Sequence, residues 1–269
     1  MNWSPRSSAA AVLVAGLIGF VPAPAQAEWA KPMKQRHDPA GLARLNYALP
    51  HVAARLAERR ALKIVALGSS STEGLGASGP SKCYPARLTA LLQARYPDID
   101  IVVKNHGVSG EDAKEMLARL DRVMTEKPDL IVWQVGTNAI LDRVDRAEQE
   151  RLLRIGLARL VASGADVVLI DPQYVPQTAN KPGTAVMVDL INSLARENGV
   201  GVFRRFAIMR YWSKVEHLPF GKFTSPDGLH MNDWSYDRMA KLLADAIADA
   251  AVTGLFQLPV LPTKVRHAN

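Results

Sequence analysis

Very little in this chain permits covalent or metal stapling. Cys83 is its one cysteine in 269 residues, so no internal disulfide can form and the fold must be held by its core. A small side chain of this kind, with no base patterned near it, reads as a buried packing residue and not as a nucleophile. Aromatic residues make up only 6% of the chain. Basic pairs such as Arg59-Arg60 and Arg204-Arg205 stand far apart in mixed sequence. Nucleic-acid binding wants a clustered basic stripe with interleaved aromatics, so the net charge of +7 reads instead as a solvated surface, open at most to anionic polymers. His37, His51, His106, His217 and His267 show no metal-ligand spacing, and HExxH is absent.

Long apolar runs are scarce too. Arg6 precedes an apolar run from Ala9 to Val21, followed by Pro22, Pro24 and Ala25-Gln26-Ala27. The run is too short to span a bilayer and reads as a secretory signal cleaved after Ala27, which predicts a periplasmic or secreted protein with no stable membrane insertion after cleavage. Residues 28–60 are expected to form an N-terminal arm and helix, residues 61–255 the main domain, and residues 256–269, with two prolines, a surface tail. The oligomeric state is not legible.

What the chain does have is alternation. Short apolar runs at Leu62 to Leu67, Ile99 to Val103, Leu130 to Val135, Val167 to Ile170 and Gly199 to Phe203 predict strands. Between and after them, helical spacing covers Ala40 to Arg60 (interrupted near Pro50), Tyr84 to Arg95, Asp112 to Thr125, Arg146 to Ser163, Ala185 to Glu197 and Tyr236 to Val252. Strands apolar throughout, alternating with helices, predict an α/β fold: a three-layer αβα sandwich with about five parallel strands. Such sheets bind ligands beyond the carboxyl ends of their strands. Gly68-Ser69-Ser70, Asn105-His106-Gly107 and Gly136-Thr137-Asn138 all follow predicted strands and so share that edge.

Near the end of the domain, Asp227 and His230 lie three positions apart in a segment that Pro226 and Gly228 keep from being helical. A carboxylate at this spacing can orient one ring nitrogen while the other takes a proton from a hydroxyl. That hydroxyl is expected from Ser69, Ser70 or Ser71, among which chemistry alone does not choose. Taken by itself the serine stretch reads first as a strand-to-helix turn with no catalytic role, Gly107 as a turn glycine and Asn138 as a helix cap. In combination Gly107 offers a backbone N–H, and Asn138 an amide, to a developing oxyanion.

These blocks resemble those of the SGNH hydrolases, also called GDSL esterases or lipases, which carry Ser, Gly, Asn and His in that order. Gly68-Ser-Ser-Ser-Thr-Glu-Gly74 is similar to the first block, Asn105-His-Gly-Val-Ser-Gly110 to the second, Gly136-Thr-Asn138 to the third and Asp227-Gly-Leu-His230 to the last. The resemblance implies a flavodoxin-like fold and a serine esterase using Ser70, His230 and Asp227 as catalytic residues. It also implies an oxyanion hole of Ser70, Gly107 and Asn138, with no metal or organic cofactor. Ser69 and Ala139 stand where the family usually has Asp, which puts loop rigidity in question. The implied substrate is a small-molecule or glycan acyl ester, with O-acetylated polysaccharide or peptidoglycan favoured. Lipid ester or thioester hydrolysis, sugar O-acyl transfer and a catalytically silent glycan-binding module are the alternatives. GxSxG is absent, and the shared Asp227 to His230 segment does not fit the α/β-hydrolase pattern. Gly74, Gly76 and Gly79 spell GxGxxG, but six residues past Gly68 and directly before Pro80, which predicts a mobile loop beside the nucleophile and no dinucleotide site. His106 lies close enough in sequence for a substrate contact or a merely solvated role.

Overall fold

In the computed structural model, Met1 and residues 38–255 are described. The proposed leader, the arm up to His37 and the tail from residue 256 lie outside the described residues. Helix α1 (Pro39–Ala43) and α2 (Pro50–Ala57) precede β1 (Leu62–Gly68), with Pro50 in the first turn of α2. There its missing N–H breaks no intrahelical bond, so the proline separates two helices instead of kinking one. The chain continues through α3 (Ser70–Glu73), α4 (Tyr84–Arg95), β2 (Ile101–Gly107), α5 (Ala113–Ala118), α6 (Leu120–Met124) and β3 (Leu130–Gln134). It then forms α7 (Thr137–Asp142), α8 (Arg146–Ala162), β4 (Asp166–Ile170), α9 (Pro176–Ala179), α10 (Pro182–Asn198) and β5 (Gly201–Phe203). Helices α11 (Arg205–Lys214), α12 (Phe220–Phe223) and α13 (Asp233–Leu255) complete the described chain.

All five strands pair in parallel in the order β2-β1-β3-β4-β5. This is the flavodoxin-like order, which reverses direction between β1 and β3 and opens a crevice at their carboxyl ends. The period-two alternation of side chains divides each strand between two cores. Ile64 and Ala66 of β1, Leu130 and Val132 of β3, and Val168 and Ile170 of β4 pack with α4 and α13 on one face. Val65 and Leu67, Ile131 and Trp133, and Val167 and Leu169 pack with α5, α8 and α10 on the other. Burying each such aliphatic side chain is worth about 1.5–3 kcal/mol, so the sheet is fixed from both sides and provides a stiff base for its loops. Among the described residues, no helix is long and apolar enough to cross a membrane.

Two expectations need correction. Strand β2 runs on to Gly107 and pairs with β1 up to Gly68, so Asn105-His106-Gly107 is strand and not a following loop. As an edge strand, β2 tolerates exposed Lys104 and Asn105, which hid its length from an apolar-run search. The helical pattern over Asp112 to Thr125 is two short helices, α5 and α6, broken at Arg119 (φ −106°, ψ 5°).

Candidate active site

The segment carrying Asp227 and His230 is closed on itself. Thr224 and Met231 form an isolated antiparallel bridge. Inside it the Ser225 N–H donates to the His230 carbonyl (2.8 Å), and that of Gly228, in the left-handed region at φ +68°, donates to the Ser225 carbonyl (3.0 Å). The resulting turn aims one carboxylate oxygen inward: Asp227 Oδ1 accepts from Ser225 Oγ (2.6 Å), Leu229 N–H (2.8 Å) and His230 N–H (2.9 Å). Its Oδ2 is 2.6 Å from His230 Nδ1. Partial burial pushes this carboxyl up, but the bonds from Ser225, His230 and the two backbone donors outweigh it and hold Asp227 well below the usual carboxylate range.

The other imidazole nitrogen, Nε2, is 2.9 Å from Ser70 Oγ across 160 residues of chain. The structure also separates the three serines. Ser69 turns its Oγ onto the buried Gln134 Oε1 (3.1 Å), which also receives Ser69 N–H (3.0 Å) and Thr72 Oγ1 (3.2 Å). Ser71 Oγ donates to Gln173 Oε1 (3.4 Å). Only Ser70, first residue of α3, faces the imidazole. Its N–H is one of the donors a helix start leaves free, and it has no hydrogen-bond partner among the described residues.

The Gly107 expectation does not survive the geometry. Its N–H donates to Asn105 Oδ1 (2.9 Å), so it is spent within its own strand. A side chain at this position would meet the Glu73 backbone at 2.0 Å, which explains the glycine by close packing of β2 under α3. Further along the same loop, Gly110 (φ +82°) has an N–H without a partner among the described residues and open space around its Cα. That loop is fastened at both ends. Glu73 of α3 accepts from Ser109 N–H (2.8 Å) and from its hydroxyl, while Asn138 Nδ2 donates to the Glu111 carbonyl (2.8 Å). Arg119 pairs with Glu111 (2.6 Å) and donates to the carbonyls of His106 (2.8 Å) and Gly68 (3.3 Å). Residues 109–111 therefore bridge Ser70's helix and Asn138, whose amide keeps one further hydrogen to donate.

The glycine-rich stretch after α3 is pinned, not free. Ser78 N–H and Oγ donate to Asp233 (2.8 and 2.6 Å), and Tyr236 OH donates to the Leu75 carbonyl (2.7 Å). Gly76, at φ +84°, lies against the Met231 carbonyl and His230 Cβ, at 2.3 and 3.0 Å from where a Cβ would stand. His106 looks elsewhere, with Nε2 3.9 Å from Glu126; burial lowers its pKa. Cys83 is buried, its Sγ 3.0 Å from the Pro80 carbonyl, as a packing residue should be. Among the described residues, no cluster of three or more His, Cys, Asp or Glu could hold a metal ion. Sequence reasoning missed Gln134, Gln173, Gly110 and Arg119. Gln134 and Gln173 sit at or just past the carboxyl ends of β3 and β4, so the strand-edge rule alone marked them.

A five-stranded parallel sheet with this edge is the fold of the SGNH hydrolases, and solved structures agree. A two-domain esterase active on acetylated mannans aligns with TM-score 0.66 and 18% identity over 83% of this chain and 58% of its own. A lipase/acylhydrolase from Enterococcus faecalis aligns with TM-score 0.59 and 23% identity over 70% and 96%, and TesA with TM-score 0.58 and 23% over 70% and 99%. At the level of sequence, the chain belongs to the non-GDSL lipase-like family, whose model matches residues 37–253. It is also similar to an acetylxylan esterase of Geobacillus stearothermophilus, 28% identical over 127 residues. That match covers 43% of this chain and 58% of the relative.

Proposed function

We propose that this chain is an exported serine esterase that removes acetyl groups from O-acetylated glycans. The observation that carries the reading is the hydrogen-bonded line from Asp227 through His230 to Ser70, at 2.6 and 2.9 Å. Likeness to an acetylxylan esterase and to the fold of a mannan esterase supports acetyl esters. Ser70 Oγ attacks the ester carbonyl as His230 Nε2 takes its proton; Asp227 fixes the tautomer and stabilises the imidazolium. The oxyanion is received by the N–H groups of Ser70 and Gly110 and by the amide of Asn138, with Gly110 replacing Gly107 in that role. His230 then protonates the leaving alcohol. Water, deprotonated by His230, cleaves the acyl-enzyme and releases acetate.

Purified protein assayed on chromogenic esters from C2 to C16 tests this. Turnover highest at C2 and absent in Ser70→Ala is expected; near-wild-type turnover by Ser70→Ala sinks the assignment. A second reading, longer acyl esters, draws on a cavity of about 440 Å³ walled by Ala139, Ile140, Val144, Val186, Met187 and Leu190, starting one residue past Asn138. A rate maximum at C8 or beyond selects it. Export rests on Arg6, the apolar run after it and Ala25-Gln26-Ala27. Amino-terminal sequencing of the protein recovered outside the cytoplasmic membrane should begin at Glu28.

A further inference from the structure

Gln173 lies just beyond β4 and is 1% exposed. Its backbone is locked, since its carbonyl accepts from Thr178 Oγ1 (2.6 Å), itself fully buried. Its side-chain amide reaches three segments of the chain at once. Oε1 accepts from Thr137 Oγ1 (3.0 Å) and Ser71 Oγ (3.4 Å), while Nε2 donates to the Leu229 carbonyl (3.4 Å). Each of those residues is the immediate chain neighbour of a group at the site: Thr137 of Asn138, Ser71 of Ser70, Leu229 of His230. No other described side chain hydrogen-bonds to all three segments. A buried amide with its oxygen and nitrogen both engaged has little freedom to rotate, and a shift in one segment would leave a buried polar atom unpaired at a cost.

We propose that Gln173 is a positioning residue, the common tie that sets the distance between nucleophile, base and amide oxyanion donor. The inference rests on the esterase reading above. It concerns the alignment of groups that come from three different segments of the chain, where displacement of about 1 Å costs on the order of 10²-fold in rate. At 1% exposure its own side chain does not reach solvent to meet a substrate.

The test is Gln173→Met, which keeps length and volume and removes both polar atoms. It should lower kcat by about 10- to 100-fold with KM within about threefold, and slow labelling of the serine by a fluorophosphonate in parallel. In a cycle with Thr137→Val, the double variant should lose less rate than the product of the single losses, because the two changes break the same tie. A kcat within twofold of wild type in Gln173→Met, or a fully multiplicative cycle, overturns the proposal. If Gln173→Met does not accumulate as folded protein, Thr137→Val and Ser71→Ala each cut one tie and leave the amide in place. Unchanged kcat in both of these also overturns it. An active Ser70→Ala would instead defeat the underlying esterase reading, so the two failures are distinguishable.

Discussion

The two sides of the Ser70–His230 hydrogen bond are built in opposite ways. On the His side, most of the support comes from within residues 224–231, as the bridge, the turn and the three donors onto Asp227 Oδ1, joined from outside by Gln173 on the Leu229 carbonyl and Gln177 on the Asp227 carbonyl (2.8 Å). The Asp227 side chain is 48% exposed. On the serine side, support comes from far along the chain and is buried, chiefly Gln134 at 1% exposure, which receives Ser69 and Thr72. A turn that satisfies itself can be damaged without unfolding its host. A serine seated on the core shares its stability.

The largest effect, Ser70→Ala, should cut kcat/KM by on the order of 10⁴-fold or more without lowering the melting temperature, as read by esterase kinetics and calorimetry. Asn138→Ala should cost about 10²–10³-fold in kcat. Its amide also ties down residues 109–111, so Asn138→Asp, unable to donate as a carboxylate, should be no better.

Gln134→Leu and Ser225→Ala test the contrast directly. The first strands the two buried donors of Ser69, each worth about 1–3 kcal/mol, so urea denaturation and kcat should worsen together. The second removes one donor from an exposed carboxylate and should cost a few-fold in kcat with unchanged stability. Equal thermodynamic losses in the pair would erase the distinction drawn here. The depressed pKa of Asp227 keeps it a carboxylate well into the acid range, so its own protonation should not contribute to the acid limb of the rate profile.

The smallest effect lies away from the site. Burial pushes Asp171 up to about 7 despite its bond from Phe206 N–H. The folded state then holds a proton that the unfolded state releases, so this group's contribution to stability falls as pH rises from the ordinary carboxyl range through about 7. Asp171→Asn should flatten that decline in urea titrations run at pH 5 and 8.

The same contrast explains what could be read from residues alone. Asp227 and His230 were legible because their geometry is local, three positions in one turn. The buried strands were legible because each is apolar on both faces. Gln134 and Gln173 were not, since an isolated glutamine carries no pattern and its importance comes only from what folding brings to it. Ser69, which replaces the family's Asp, raised a question of rigidity that only its bonds to Gln134 answer. Gly107 alone looked like a backbone donor until pairing showed that its N–H was already taken, and Gly110 emerged only from the folded loop.

Gly76 sets a rule for redesign. The backbone of residues 74–79 can rest on Met231 and His230 only because nothing projects from that position. Libraries meant to alter acceptance of bulky alcohols should therefore randomise Ala77 and Gly79 while holding residue 76 fixed, since any methyl there would collide with the Met231 carbonyl and crowd His230 Cβ before it ever met a ligand.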